Sequence, residues 1–558
     1  MKTFVKYICL LAIFVSMTGT ASAEELRERV YLHTDKQVYL AGELLWMKMY
    51  VTGTDGKPLP FSKVGYVELL EGDIAQEQVK LDIDNATGEG WIEIPSTLPT
   101  GHYRLAAYTR NMKNEGEGVF FYKTIGIINT FRPDPSVELD TLIQAQEASL
   151  LENTISVVTE KDSYSRRSQG TIRLNSLPDN IHSLSISIAG KDLASPYNET
   201  NITKWNKSLS QTSLPPFNES YTPEYEGHII RGQIRDIRTD EIAKDKDIYP
   251  QAGFIGDQIR VFGGQVKDKG EVEFYTSRIK GMYELATTSH TALKNQYRIN
   301  IESPFSEHKP ASLPPFRMNP MWEKQLTERN FGLQVLHAFL ADSLSRVDTT
   351  YAHFRWTPDR SYILDEYTRF TRMDEIIIEF IPSLRFRKYN DKRTLNVLDE
   401  DASTFSLGNS LVLLDGIPII DHELIFKYDP LLVYRIDVYK NRFVFSGQYF
   451  NGLVMLTTYN KDYPSLVLDD NTQIFDYEGT QAHRRFYVPS YTNKAEKDSR
   501  IPDYRHTLLW NPEVETEGKT SLSLPFYTSD ITGDFHIVIE GVTKDGKAVR
   551  GTAGFSVE

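Results

Sequence analysis

The feature that most constrains the fold is a short element that recurs three times. It reads Gly101-His102-Tyr103-Arg104-Leu105, Gly281-Met282-Tyr283-Glu284-Leu285 and Gly533-Asp534-Phe535-His536-Ile537, with a glycine, an aromatic residue and an aliphatic residue at constant spacing. Side chains two apart share one face of a β-strand, and glycine can take positive φ in a turn leading into it. Each copy is therefore read as a turn opening into a strand with one apolar face. A second element pairs Thr34-Asp35-Lys36-Gln37-Val38-Tyr39 with Thr159-Glu160-Lys161-Asp162-Ser163-Tyr164. Internal repeats bear on architecture before other features do, and these two indicate duplicated β domains.

Period-2 alternation is far more frequent along the chain than helical spacing. Leu45, Met47, Met49 and Val51 alternate with Trp46, Lys48 and Tyr50, while Leu184, Ile186 and Ile188 alternate with Ser183, Ser185 and Ser187. Both runs predict half-buried strands, as does Phe535-Ile537-Ile539 near the end. Turn clusters such as Asp55-Gly56-Lys57-Pro58 and Asp545-Gly546-Lys547 separate the runs, a pattern of antiparallel sandwiches. Leu333, Leu336, Leu340 and Leu344 recur at helical spacing and predict an amphipathic helix packed on a sandwich.

At the start of the chain, Lys2 and Lys6 precede an apolar run from Tyr7 to Val15 and the small-residue stretch Ala21-Ser22-Ala23. This has the form of a secretory signal peptide over residues 1–23. The run is shorter than the roughly 20 residues a membrane-spanning helix needs, and no later run is long enough. The expectation is an exported, soluble chain without an integral membrane span, located in the periplasm or at the outer membrane. Its one cysteine, Cys9, falls in the segment to be removed, so the remaining domains must rest on apolar cores rather than disulfides. The formal charge of −14 falls to −16 when Lys2 and Lys6 are lost. Nucleic-acid binding calls for a basic footprint and is excluded as an expectation.

The residues Tyr31-Leu32-His33-Thr34-Asp35-Lys36, Ala41-Gly42-Glu43, Trp46 and Leu98-Pro99-Thr100-Gly101-His102-Tyr103-Arg104-Leu105 resemble a macroglobulin-type domain of bacterial α2-macroglobulin relatives. The resemblance implies an antiparallel β-sandwich. It does not imply covalent trapping of proteases, because the thioester of trapping macroglobulins needs a cysteine. A second set, Leu411-Val412-Leu413-Leu414-Asp415-Gly416-Ile417-Pro418, Arg435-Ile436-Asp437-Val438-Tyr439-Lys440, Gly447 and Asn451-Gly452-Leu453-Val454-Met455-Leu456-Thr457-Thr458, resembles the plug domain of a TonB-dependent outer-membrane receptor. Phe443, Phe445 and Phe450 stand where plugs use small, glycine-rich segments, so the likeness extends to the fold and not to gating. No regular run of barrel strands follows Lys461. The tail, with Pro502-Asp503-Tyr504-Arg505, Leu509-Trp510-Asn511-Pro512 and Phe526-Tyr527-Thr528-Ser529-Asp530, resembles the C-terminal sandwich of exported bacterial proteins that combine such domains.

These readings give a mainly β chain of tandem antiparallel β-sandwich (macroglobulin/Ig-like) domains, with one α+β plug-like domain and a short helical connector. The expected divisions are a sandwich over 24–132, a second over 145–225, a third β-rich domain over 226–306, the connector over 307–365, the plug-like domain over 366–462 and a C-terminal sandwich over 465–558.

Motifs that carry chemistry do not emerge. There is no Gly-x-Ser-x-Gly, His-Glu-x-x-His or Walker loop, and the 12 histidines are scattered. Asp82, Asp84 and Asn85 precede Gly88 and Glu89, but the glycine and the last acid are misplaced for an EF-hand and read as a solvated turn. His33, His102 and His536 are expected to face outward from strands, and Asp399 and Asp401 to lie in a solvated loop. The Asn-x-Ser/Thr triplets between Asn198 and Ser220 read as an exposed polar loop. No catalytic, cofactor-binding or metal-binding residue is therefore singled out. The function expected is a non-enzymatic cell-envelope interaction or scaffolding module with a protein partner, linked to a TonB-dependent receptor. Two alternatives stand beside it. One is a macroglobulin-like protease inhibitor without thioester chemistry, with Asn198–Ser220 as its bait; the other is an enzyme whose site assembles from distant loops.

Overall fold

The computed structural model describes residues 27–558 except 133, 136, 142–151, 192–199, 212, 246, 257–258, 292–295, 310–311, 345–356, 390, 400–403 and 406–409. The expected signal peptide, residues 1–23, lies outside the described residues, as does Asp401. The chain is mainly β and forms two compact units. The first comprises the chain up to Pro223 with Glu307–Arg346 and Arg484–Glu558, and the second Glu224–Ser306 with Val347–His483.

The first unit opens with eight strands: β1 (Glu28–Thr34), β2 (Val38–Leu40), β3 (Leu44–Gly53), β4 (Val64–Glu71), β5 (Ile74–Asp84), β6 (Thr87–Glu93), β7 (Gly101–Thr109) and β8 (Phe121–Ile128). Their order is β1-β3-β6-β5-β4-β7-β8-β2. Strand β5 joins the two layers, pairing with β4 along most of its length and with β6 only at Ile83 and Asp84. The turn that follows has Asn85 at φ 45° and Ala86 at φ 64°, the left-handed pair required by a two-residue hairpin. The Asp82–Glu89 segment is therefore a hairpin tip.

A second sandwich uses β9 (Ser156–Thr159), β10 (Ser163–Tyr164), β11 (Gln169–Asn175), β12 (Ile181–Gly190), β13 (Thr507–Asn511), β14 (Ser521–Tyr527), β15 (Gly533–Thr543) and β16 (Ala548–Val557). Its layers run β9-β11-β14 and β10-β16-β15-β12-β13. Strand for strand this is the order of the first sandwich, and the register agrees as well. Tyr39 of β2 and Gly101 of β7 both pair with Ile127 of β8, while Tyr164 of β10 and Gly533 of β15 both pair with Val557 of β16. The Tyr39 hydroxyl accepts the backbone N–H of Lys36 at 3.4 Å, and the Tyr164 hydroxyl that of Lys161 at 3.1 Å. The two repeated elements thus mark equivalent positions of a duplicated domain. The third copy does not: among the described residues Met282–His290 pairs with antiparallel strands and has no flanking parallel strand. Positive φ is needed at Gly281 (92°) and Gly533 (126°), but Gly101 enters its strand without it.

Residues 145–225 and 465–558, expected as separate domains, share one core. Phe526, Phe535 and Phe555 from the second segment pack with Ile172, Leu184 and Ile186 from the first. Alternation reveals which face of a strand is apolar but not which distant strand pairs with it. Everything between β12 and β13, residues 191–506, is an insertion whose two ends meet where the Gly190 N–H donates to the His506 carbonyl at 2.9 Å. It carries helix α1 (Ile202–Leu209), helix α2 (Glu323–Leu344) and the whole second unit. Leu326 and Leu333 of α2, with Phe316 of the insertion, pack on Val38, Leu40 and Ile128 of the first sandwich. The side chains of Leu340 and Leu344 lie outside the described residues.

The second unit combines a β body with an α+β part. In the former, Met282–His290 pairs with Tyr249–Ile255 and with Thr472–Glu478, so the region expected over 226–306 draws a strand from beyond residue 465. In the latter, Leu411–Leu414 runs parallel to Gln448–Thr458, which is antiparallel to Val433–Phe445, and helices Met373–Phe380 and Glu423–Lys427 flank them. The Asp415-Gly416 turn has φ 51° and 103°, and the Asp415 carboxylate accepts the Thr458 and Tyr463 N–H groups, both at 2.8 Å. A Cβ on Gly416 would lie 2.2 Å from the Phe254 carbonyl oxygen, so this crossing admits only glycine. Phe445 and Phe450 are buried with Leu411, Leu453 and Met455.

Candidate functional site

Two polar assemblies stand out in the first unit. One is a seam between the sandwiches. The faces of β1 and β3 that carry Tyr31, His33, Lys48 and Tyr50, and the face of β12 that carries Ser183, Ser185 and Ser187, are buried. The sequence leaves both faces to solvent; in the structure they meet each other. The Tyr50 hydroxyl shares a 2.7 Å hydrogen bond with Ser185, and Tyr31 donates to Glu540 at 2.7 Å. Lys48 contacts Glu513 at 2.6 Å. Polar groups taken from water cost little when each finds a partner.

His33 belongs to this seam and is buried rather than outward-facing. Its Nδ1 lies 2.6 Å from the Ser185 hydroxyl and its Nε2 3.8 Å from a Glu540 carboxylate oxygen. Serine, histidine and glutamate are the residue types of a nucleophilic triad, but Ser185 is 0% exposed, so no substrate reaches it. Burial holds the His33 imidazole well below its usual range, and it raises the Glu540 carboxyl. The 3.8 Å contact is thus not an ion pair at neutral pH. His102 is half-buried, with Nδ1 3.0 Å from the Pro314 carbonyl oxygen and its ring against Phe316; His536 is also half-buried.

The Asn198–Ser220 region, expected as an exposed polar loop, is helical over Ile202–Leu209 and without helix or strand over residues 213–220, which are mostly exposed. Asn201 is buried and caps α1, accepting the Lys204 N–H at 3.0 Å. The Trp205 ring sits 5.3 Å from Tyr31, the Ile202 N–H donates to Glu540 at 3.1 Å, and Asn206 donates to the Gly546 carbonyl at 3.0 Å.

The second assembly floors an open cleft of about 240 Å³. Three segments frame it: the first sandwich around Lys36, Glu43 and Trp46, helix α2 at Arg329, Leu333 and Leu336, and the return of the insertion from Arg484 to Thr507. Arg329 grips Glu43 with two hydrogen bonds of 2.8 and 2.7 Å. Lys36 Nζ lies 3.3 Å from both Asp35 and Glu43, and Thr507 donates to Asp35 at 2.7 Å. Burial alone would raise the Glu43 carboxyl, but the Arg329 and Lys36 charges together overcome it and hold Glu43 well below the usual carboxylate range. Above this floor, Trp46 and Phe486 meet edge to face at 5.4 Å, and the Arg484 guanidinium lies 4.4 Å from the Trp91 ring.

Asp35, Lys36, Glu43 and Trp46 are among the residues that carry the macroglobulin resemblance, yet as sequence they indicate a fold and not a cleft. Arg329, His506 and Thr507 lie hundreds of positions away, and no local signal marks them as its other walls. Among the described residues no cluster of histidine, cysteine and acidic side chains could hold a metal ion.

Fold and site together define a pair of stacked, duplicated β-sandwiches interrupted by a β and α+β unit. Solved structures similar to it include Salmonella α2-macroglobulin reacted with methylamine (9% identity, TM-score 0.25, covering 97% of this chain and 40% of that one). Others are Escherichia coli α2-macroglobulin activated by porcine elastase (9%, TM-score 0.24, 95% and 44%) and its native conformation (10%, TM-score 0.24, 97% and 40%). The chain spans about two fifths of the length of these proteins. The assignment of the sandwiches rests on strand order and register rather than on these scores. No family model matches the sequence, and no curated protein does.

Proposed function

We propose that this chain is a non-enzymatic cell-envelope protein that holds a protein partner. The observation that carries this reading is the cleft: it is open, walled by aromatic and aliphatic side chains, and floored by acids and bases committed to one another. Glu43 is taken by Arg329 and Lys36, and Asp35 by Thr507 and Lys36. A catalytic acid or base must be within hydrogen-bond reach of substrate, whereas a binding surface needs shape and apolar area. The signal-peptide pattern supports export to the periplasm or the outer membrane. The likeness of residues 366–462 to a receptor plug supports an outer-membrane receptor as the partner class.

A macroglobulin-like inhibitor without thioester chemistry is the second reading, favoured by the sandwich architecture. The helix in the first half of its expected bait segment weighs against cleavage there, because Ile202 and Trp205 are buried, whereas residues 213–220 are mostly exposed. The test is affinity capture of the tagged protein from its native envelope, followed by mass spectrometry against an untagged control. One recovered receptor or assembly factor is the expected result. Recovery of none, together with loss of protease activity on incubation with a protease panel, transfers the function to inhibition.

A further inference from the structure

The pentapeptide Ser-Leu-Pro-Pro-Phe occurs twice in the chain, as residues 213–217 and as residues 312–316. The first copy lies just before the chain leaves the first unit after Pro223, and the second just after it returns at Glu307. Five identical residues are a weak signal on their own. What joins the two copies is that both are held in the same way.

Neither copy forms helix or strand. The residue before a proline is pushed into an extended conformation and proline fixes its own φ, so Leu-Pro-Pro is extended before it docks. Such a segment makes no hydrogen bonds within itself, and its carbonyls need donors from elsewhere. In the first copy, Arg27 donates to the Pro215 carbonyl at 2.7 Å, and its guanidinium lies 5.5 Å from the centre of the Phe217 ring. In the second, His102 Nδ1 lies 3.0 Å from the Pro314 carbonyl oxygen, and the imidazole meets the Phe316 ring edge to face at 4.9 Å. A carbonyl only accepts, so Nδ1 is the protonated nitrogen. In each copy one side chain of the first unit thus takes the carbonyl of the first proline and the phenylalanine ring two residues on. Burial agrees, since the first proline is half-buried and the second exposed in both. The two holds differ in depth: Phe316 is buried with Val38 and Ile128, whereas Phe217 is half-buried.

We propose that Arg27 and His102 each head a recognition site for an extended Leu-Pro-Pro-Phe segment, and that the chain's own two copies are the ligands, latching it to the first unit on either side of residues 224–306. Proline-rich ligands generally dock by their preformed shape on aromatic-lined grooves. Here the roles are exchanged: the ring belongs to the ligand, and the planar guanidinium or imidazole to the site. The latches stand independently of the partner reading above.

The test supplies the segment in trans to the full chain, as the end-blocked, fluorescein-labelled peptide Ser-Leu-Pro-Pro-Phe-Asn. The triple variant Pro215→Ser/Pro216→Ser/Phe217→Ala empties the first site, with Phe217→Ala as the milder version. The strap stays tethered in both, because the Asn218 and Tyr221 N–H groups donate to Asn114, each at 2.8 Å. In a variant that keeps the wild-type melting profile, anisotropy titration should show saturable binding. Wild type should bind at least about tenfold more weakly, because its own strap competes at an effective concentration on the order of mM. A peptide with alanine for phenylalanine, or Arg27→Met added to the emptied variant, should each weaken binding about tenfold; Glu115 keeps its contact with Arg29 in that background. His102→Gln should speed chymotryptic cleavage after Leu313, and an unchanged rate removes the second site. Peptide binding no tighter to the emptied variant than to wild type overturns the inference, as does equal binding of a scrambled peptide or binding unchanged by Arg27→Met. Should neither variant keep the melting profile, wild type decides: saturation-transfer NMR with about 5 mM unlabelled peptide should reach its phenylalanine ring and not that of the scrambled peptide, and absence of that difference overturns the inference.

Discussion

Glu43 and His422 show how single buried groups set the response of each unit to charge. Glu43 neutralises Arg329 and Lys36 in a buried floor. Glu43→Gln removes the carboxylate that Arg329 grips and leaves Lys36 to Asp35, and it should destabilise the first unit by about 3–5 kcal/mol, read by urea denaturation. A companion Arg329→Met change should recover part of that loss. Because the folded-state pKa of Glu43 is depressed, its contribution is complete above the ordinary carboxylate pKa and fades as pH falls below it. His422 in the second unit is buried, and its Nδ1 accepts the Leu395 N–H at 3.0 Å. Burial lowers its pKa from 6.5 to about 4. The unfolded chain therefore takes up the proton first, and the second unit should lose about 3 kcal/mol as pH falls from 6.5 to 4. Thermal melts of His422→Gln across this window should lack that slope, and a slope unchanged from wild type would refute the assignment.

At the scale of elements, helix α1 tests whether the Asn198–Ser220 region can serve as a bait. Its eight residues are too few for a stable isolated helix, so the docking of Trp205 on Tyr31 must hold it. Trp205→Ala should cost about 3–5 kcal/mol and expose the segment to cleavage. Limited proteolysis should cut the variant between Ile202 and Leu209 well before wild type. Rapid cutting of the wild-type helix would restore the bait reading. The half-buried expectation for β3 and β12 was right about which residues alternate and incomplete about the second face. Lys48 and Tyr50, and Ser183, Ser185 and Ser187, are polar enough to meet water, but in the seam Tyr50 pairs with Ser185, Lys48 and Ser183 share Glu513, and Ser187 donates to the Asp35 carbonyl.

For the whole molecule, the two units have separate apolar cores, one built around Ile172, Leu184 and Phe526 and another around Val412, Ile436 and Leu456. Calorimetry should accordingly resolve two transitions, because cooperativity follows shared burial. Glu43→Gln should move only one of them and His422→Gln only the other. A single transition shifted by both substitutions would mean the units unfold as one. The duplication also explains the numbering of the chain: the second sandwich is the first one with residues 191–506 inserted between its fourth and fifth strands.

From the sequence alone came the β class, the strand faces and the repeat, because period-2 burial and turn residues are local properties. The repeated Tyr39 and Tyr164, and Gly101 and Gly533, were legible as a pattern before their shared register could be known. Tertiary structure decided which strands pair across the insertion, that the serine face of β12 meets the tyrosine face of β3, and that Glu43 lies against Arg329. Those contacts join residues up to 509 positions apart, as between Tyr31 and Glu540, and nothing in local periodicity says which polar face will meet water and which will meet another polar face.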